Sequence, residues 1–276
     1  MSAPLHYAAF TDHPAGGNPA GVVLDASGLS DERMLEIAAE LGYSESAFAL
    51  ARGGGEYDVR YFSPLAEVPF CGHATIATAV AIAERDGAGP LVFHTQAGEV
   101  RVDTSGSAGA VTATLTSVVP HVEEAPGTLL APALDALRYA RTDLDPALPP
   151  KVGYAGARHL IIGAATRERL AALDYDFDAL QRVMLDHDIT TVDLVWREDA
   201  TTFHARNPFP VGGVVEDPAT GAAAAAFGAY LRELGLVTPP VTVTVRQGVD
   251  MGRPSLLEVE IGARPEIRVT GAAVAM

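Results

Sequence analysis

The chain is short of cysteine, of basic residues and of long apolar runs, and each shortage removes a class of protein. A single cysteine, Cys71, leaves no internal disulfide framework and fits a reducing compartment. The 19 Lys and Arg are outnumbered by 35 Asp and Glu, for a formal charge of −16. A surface of that sign repels phosphate backbones and anionic lipid headgroups, so neither nucleic acid nor a membrane is an expected partner. No stretch approaches the roughly 20 apolar residues of a membrane span. The opening Met1-Ser2-Ala3-Pro4-Leu5-His6 has no basic region followed by an apolar run, so a cytoplasmic location is expected. Neither G-x-x-x-x-G-K-[ST] nor G-x-G-x-x-G occurs, and the sequence has no H-x-x-x-H pair and no Cys cluster. No cofactor and no metal are expected.

What is present is a long chain of 276 residues, 48% hydrophobic, enough for one large core or two modest ones. An internal repeat favours two. In the first half Ser30-Asp31-Glu32-Arg33 opens a helix, Met34, Ile37, Ala38 and Leu41 give it an apolar stripe, and Gly42 ends it. Strands are expected over Ser46–Ala51 and Tyr57–Phe62, with Gly53-Gly54-Gly55 as the turn between them. A Pro-rich turn then leads through Cys71-Gly72-His73-Ala74-Thr75 into Ile76–Arg85, a helix apolar nearly all round and therefore enclosed by other structure. Leu91–Thr95 and Glu99–Asp103 read as a further hairpin with Gln96-Ala97-Gly98 as the turn between them.

About 146 residues later the order of parts recurs. Asp176–Leu185 is the amphipathic helix, Thr190–Trp196 and Thr201–Ala205 the strands, and Asn207-Pro208-Phe209-Pro210 the Pro-rich turn. Glu216-Asp217-Pro218-Ala219-Thr220-Gly221 opens a second enclosed helix, Ala222–Leu234, and strands follow at Val241–Arg246 and Leu256–Ile261. The simplest object with these parts is an α+β fold of two similar lobes, each a curved, mostly antiparallel sheet wrapped around a central helix. Glu123-Glu124-Ala125-Pro126-Gly127 reads as the linker. The lobes are then 1–122 and 123–265, with a last strand, 266–276, able to return to the first.

Three side chains, two of them at helix starts, carry candidate chemistry. His73 lies in a first helical turn, where the positive end of the helix dipole favours the neutral imidazole; it can relay or orient a proton, or be a satisfied core histidine. Asp217 precedes the second enclosed helix, where capping the helix is its plain structural role. Glu45 stands between Ser44 and Ser46 in a mostly apolar neighbourhood. A carboxyl group buried in such surroundings holds its proton more tightly and can shuttle it near neutral pH; a solvated glutamate at a helix-to-strand corner is the alternative. Gly72 and Gly221 allow backbone to approach a ligand, so amides at either helix start could hold a carboxylate.

Motifs along nearly the whole chain resemble those of the PhzF-like family, which carries the diaminopimelate-epimerase fold. They are Phe10-Thr11-Asp12, Gly17-Asn18-Pro19-Ala20-Gly21, Ser44-Glu45-Ser46-Ala47-Phe48, Arg60-Tyr61-Phe62-Ser63-Pro64, Glu67-Val68-Pro69-Phe70-Cys71-Gly72-His73-Ala74-Thr75, Glu216-Asp217-Pro218-Ala219-Thr220-Gly221, Arg246-Gln247-Gly248 and Gly252-Arg253-Pro254-Ser255. The resemblance implies two pseudo-symmetric lobes with the site between them, and a cofactor-independent isomerase. Glu45 would transfer the proton, with His73 and Asp217 binding and orienting the substrate. Gly72, Thr220, Gly221, Ala222 and Asn18 would contribute to binding a small unsaturated carboxylic acid of the dihydro-hydroxyanthranilate kind, as in phenazine biosynthesis, and a homodimer is the family-level expectation. One departure matters: Ala222 stands where the family often has serine.

Racemases and epimerases of that fold use two thiols, one on each face of the reacting carbon. Cys71 matches one of those positions, and the other is Pro218, which cannot act as a base. Two-thiol epimerisation is therefore excluded, and Cys71 reads as a small buried residue. Gly42-Tyr43-Ser44-Glu45-Ser46 lacks the last glycine of a nucleophile elbow and joins a helix to a strand, the wrong context for a serine hydrolase. The alternative from another class is a non-catalytic binding or regulatory protein on the same scaffold.

Overall fold

The computed structural model describes residues 3–107 and 109–276. The backbone gathers into two units, one running to Thr116 and including Thr270–Met276, the other Ser117–Val269.

In the first unit β1 (Leu5–Ala9) pairs antiparallel with β2 (Asn18–Val23), and helix α1 (Asp31–Leu41) returns the chain so that β3 (Ser46–Gly53) runs parallel to β2. A hairpin leads to β4 (Glu56–Phe62), against which the short β5 (Glu67–Val68) pairs. After α2 (Gly72–Asp86), β6 (Pro90–Thr95) lies parallel to β4, and β7 (Gly98–Ser105) and β8 (Thr112–Thr116) follow antiparallel. The chain's last strand, Ile267–Ala275, pairs with both β8 and β1 and closes an eight-stranded barrel.

The closed sheet explains the composition of α2. His73 through Ala83 are all buried, and the helix packs on β1, β2, β3, β7 and β8. Small side chains (Ala74, Ala77, Ala79, Ala81) let the strands close in around it. Helix α1 begins where the sequence predicts: the Ser30 hydroxyl accepts the Arg33 N–H, and Gly42 ends the helix in the left-handed conformation at φ 69°. Its stripe of Met34, Ile37 and Ala38 packs on Val23, Phe48 and Phe62.

The second unit repeats this plan with additions. Its elements are β9 (His121–Glu124), α3 (Gly127–Leu137), β10 (Lys151–Tyr154), β11 (Arg158–Gly163), α4 (Arg167–Ala171), α5 (Phe177–Asp186), β12 (Thr191–Arg197), β13 (Thr202–Phe209), β14 (Val214–Asp217), α6 (Gly221–Glu233), β15 (Val241–Gln247) and β16 (Ser255–Ile261). The ladder runs β9, β10, β11, β12, β13, β15, β16. Its parallel pairs, β11 with β12 and β13 with β15, match β2 with β3 and β4 with β6. Helix α6 packs on β9, β10, β11 and β16, and its Ala223–Leu231 stretch is buried. Helices α3 and α5 form a layer of their own through Leu129, Leu134, Leu137, Leu180 and Met184.

Two expectations from the sequence need correction. Glu123-Glu124 is not linker: both residues lie in β9, opposite Val152 and Lys151. Their charges are met by Arg158, at 2.6 Å from Glu123, and by Lys151, which ion-pairs with Glu124. The continuous stretch of the first unit runs to Thr116. Likewise Asn207-Pro208-Phe209 continues β13, and the turn comes at Pro210–Gly212; a register shift between Pro208 and Phe209 accommodates the proline. Among the described residues no helix is long and apolar enough to cross a membrane.

Candidate active site

The start of α2 and the end of the α1–β3 connection bring three reactive groups together in the first unit. Cys71 is the N-cap of α2, Gly72 its first residue and His73 its second, while Glu45 immediately precedes β3. The Glu45 carboxyl Oε2 lies 3.6 Å from His73 Nε2 and 3.6 Å from the Cys71 thiol. The thiol is also 3.3 Å from His73 Nδ1, and the Ser44 hydroxyl is 3.5 Å from Nε2. Ligating atoms of Glu45, Cys71 and His73 all fall within 4.8 Å of one another.

The protonation state of His73 follows from its surroundings. The side chain is 5% exposed, and burial lowers its pKa below the ordinary histidine value, opposed only by the charge of Glu45. The ring is neutral near neutral pH, so its contact with Glu45 is not an ion pair. Beneath this group the Thr75 hydroxyl donates to the Cys71 carbonyl at 2.7 Å and meets the buried Tyr61 hydroxyl at 2.6 Å. The bend before α2 is thus held by a buried polar chain.

In the second unit the corresponding helix start is held differently. Asp217 ends β14, opposite Asn207 on β13. The N-cap of α6 is Thr220, not Asp217, so the helix-capping role open to Asp217 in the sequence is not the one it takes. The Thr220 hydroxyl donates to the Asp217 carboxylate at 2.5 Å. Gln247 ties the bend together: its amide donates to the Asp217 carbonyl at 2.7 Å and to the Thr220 hydroxyl at 3.0 Å, and its oxygen accepts the Thr220 N–H at 3.1 Å. Gly248, at φ +73°, makes this possible, because a Cβ there would meet the Arg253 carbonyl at 2.3 Å and the Pro218 carbonyl at 2.8 Å. Gly221 and Ala222 form the first turn of α6.

Asn18 is buried at the start of β2, opposite Ala9. Glu45, His73 and Gly72 therefore gather at one helix start of the first unit, and Asp217, Thr220, Gly221 and Ala222 at one of the second. Neither α2 nor α6 is capped by its own N-cap side chain, so the amides of each first turn are not claimed by that group.

Sequence reasoning missed the roles of Gln247, Asn207 and Asp193. Gln247 is 1% exposed, and Asn207 donates to the buried Asp193 at 3.1 Å. Burial drives the Asp193 carboxyl up to about 7, against the opposing hydrogen bond from Asn207. The available signal was polar residues on the core-facing positions of strands, here Asp193 between Val192 and Leu194.

A family model described as phenazine biosynthesis-like protein, PhzC-PhzF, matches residues 7–276. The chain is 33% identical over 260 residues to trans-2,3-dihydro-3-hydroxyanthranilate isomerase of Pseudomonas fluorescens, covering 94% of this chain and 90% of that protein. It is 30% identical over 282 residues to the uncharacterized isomerase YfhB of Bacillus subtilis, covering 98% and 95%. Among solved structures, the phenazine biosynthesis protein of the PhzF family from Bacillus anthracis superposes with a TM-score of 0.89 at 26% identity, covering 99% of this chain and 96% of that one. The chain belongs to the PhzC-PhzF family of phenazine biosynthesis-like proteins, and within it is an isomerase.

Proposed function

We propose that this isomerase moves a proton from one carbon to another within a small unsaturated carboxylic acid, without a cofactor, and that Glu45 carries the proton. The observation that carries this reading is the Glu45 carboxyl, 15% exposed, standing 3.6 Å from a buried, neutral His73. In the forward direction the Glu45 carboxylate takes a proton from an activated ring carbon, and the C–H electron pair passes into the conjugated system. The resulting Glu45 acid then returns the proton to another carbon of the same system, so atoms and charge balance within one substrate. A single carboxyl group can do this on one face. The neutral His73 ring can donate or accept a hydrogen bond without introducing a second buried charge.

Substrate binding is assigned to the polar groups at the two helix starts. Amides of Gly72, Gly221 and Ala222 lie in first helical turns, which favour a carboxylate through their unpaired N–H groups and the helix dipole. Asp217 suits a hydroxyl or ammonium group, with Thr220 fixing its carboxylate. Asn18 is assigned to binding as well. The cyclic dihydro-hydroxyanthranilate named for the Pseudomonas fluorescens relative is the first compound to try. Ala222 removes a hydroxyl, which supports a substrate that differs from that compound where a serine would reach it. A homodimer is part of the same proposal.

The test is solvent-deuterium incorporation into trans-2,3-dihydro-3-hydroxyanthranilate and related unsaturated acids, followed by mass spectrometry. Glu45→Gln keeps the shape and removes the acid, and is expected to slow exchange about 1,000-fold, within the range of general acid–base catalysis. Equal exchange in wild type and Glu45→Gln would overturn the assignment.

A further inference from the structure

We propose that Glu45, Cys71 and His73 form a three-ligand site for a borderline-soft divalent cation, Zn2+ foremost, and that an ion bound there halts the isomerase by occupying the Glu45 carboxyl. The site stands on geometry within the first unit alone; the inhibition rests on the reading of Glu45 as the proton carrier.

The three ligating atoms make a nearly equilateral triangle. Its edges are 3.6 Å from Glu45 Oε2 to His73 Nε2, 3.6 Å from Oε2 to Cys71 Sγ, and 3.8 Å from Sγ to Nε2. A point equidistant from the three corners lies about 2.1 Å from each, which falls among Zn–O, Zn–N and Zn–S bond lengths of roughly 2.0–2.3 Å. Closing the edges by a few tenths of an ångström gives one triangular face of a tetrahedral ion, with its fourth position open. Open fourth positions belong to exchangeable sites, and closed four-ligand sets to structural ones.

The donor chemistry selects the ion. A thiolate, an imidazole and one carboxylate favour zinc over calcium or magnesium, which require oxygen cages. Thiolate and carboxylate together balance the charge of a divalent ion. The protein's formal charge of −16 also raises the cation concentration at its surface. The motif gives no sign of this, because Glu45 is 26 residues from Cys71 in sequence and the set comes together only when β3 and α2 are in place.

Cobalt reads the site without reference to activity. The chelator-treated full-length protein is titrated with Co2+, then back-titrated with Zn2+. One equivalent should release the thiol proton and produce the intense near-ultraviolet thiolate-to-cobalt charge-transfer band, and Zn2+ should then abolish the band with no further proton release. Cys71→Ser and Cys71→Ala should abolish the band, and Cys71→Ala should weaken Zn2+ binding about 100-fold, the scale expected for losing one of so few ligands. Asp186→Asn, in the surface Asp186-His187-Asp188 cluster, should leave both unchanged. No band in wild type, or Zn2+ binding equally strong in Cys71→Ala, overturns the site. Zn2+ inhibition of deuterium exchange, measured against each variant's own metal-free rate, should be about 100-fold weaker in Cys71→Ala, in step with binding. A cobalt band without any inhibition upholds the site and overturns the role of Glu45.

Discussion

Arg60 and Arg206 stand 146 residues apart at matching places in the two units, and they differ in one physical respect. Each lies on the strand before the enclosed helix and holds a glutamate of the following short strand with two parallel hydrogen bonds. Arg60 binds Glu67 at 2.6 and 2.6 Å, and Arg206 binds Glu216 at 2.9 and 2.5 Å. The first pair is partly wet, with side chains 31% and 20% exposed, and shares its arginine with the surface Asp31. The second is 10% and 4% exposed, and its arginine also donates to the Ala171 carbonyl. Position 45 shows the same divergence. Glu45 in the first unit corresponds, 146 residues on, to Thr191, whose hydroxyl is 2.7 Å from the buried His159 ring. The first unit keeps a reactive cluster of loosely spaced groups, with Glu45 15% exposed beside the buried Cys71 and His73. The second locks its counterpart into short, buried hydrogen bonds.

Because the two arginine pairs differ in burial, they should respond unequally to the same change. Glu216→Gln leaves the Arg206 charge buried with a neutral partner, and is expected to destabilise the protein by about 3–5 kcal/mol. Glu67→Gln acts on a solvent-screened pair and should cost about 1 kcal/mol or less. Urea unfolding of both variants checks this, and equal losses would erase the distinction between the units.

A second contrast is electrostatic. Asp193 sits where the first unit, 146 residues earlier, has the buried Ala47, so only the second unit carries a carboxyl group at this core position. With its folded pKa raised to about 7, Asp193 contributes stability that is fully present below its unfolded value near 4 and is lost as pH rises through 7. Between about pH 5 and pH 8 wild type should lose roughly 3 kcal/mol relative to Asp193→Asn, from about two pH units at 1.4 kcal/mol each. Parallel stability–pH curves for the two proteins would remove the carboxyl from the account.

These contrasts also mark what was legible in the sequence. The enclosed helices were readable because α2 and α6 lack a polar face, and the hairpins because Gly53-Gly54-Gly55 and Gln96-Ala97-Gly98 punctuate alternating strands. Helix α3, α4 and the pair β10–β11 went unread. The pair β10–β11 answers to β1–β2 in the fold but shares no motif with it, and α3 and α4 have no counterpart in the first half; Pro132 inside α3 also disguises it as loop. Glu45 and His73 were named from motifs, but their 3.6 Å approach depends on the parallel pairing of β2 with β3, and no local pattern encodes it. Gln247 belongs to the Arg246-Gln247-Gly248 motif, yet its three hydrogen bonds to the bend before α6 form only when β15 lies beside β13.

The smallest difference lies inside the enclosed helices. Gly72 and Gly221 begin α2 and α6, 149 residues apart, so Gly228 in α6 corresponds to the buried Ala79 in α2. A methyl group at Gly228 would meet Val259 Cγ1 at 2.7 Å and Ile267 Cγ2 at 3.1 Å. Both contacts are branched side chains on neighbouring strands, and neither can rotate clear cheaply. Alanine would normally strengthen a helix interior by about 1 kcal/mol over glycine. Here the crowding should prevail, so that Gly228→Ala lowers stability by about 1–2 kcal/mol, the lower part of the range for overpacking a core. Ala79→Gly should destabilise by a similar amount for the opposite reason, from lost helix propensity and a vacated methyl site. Thermal melts of the two variants check both expectations. A higher melting temperature for Gly228→Ala would mean that the sheet around α6 has room to spare, and that the second unit is not the more tightly locked of the two.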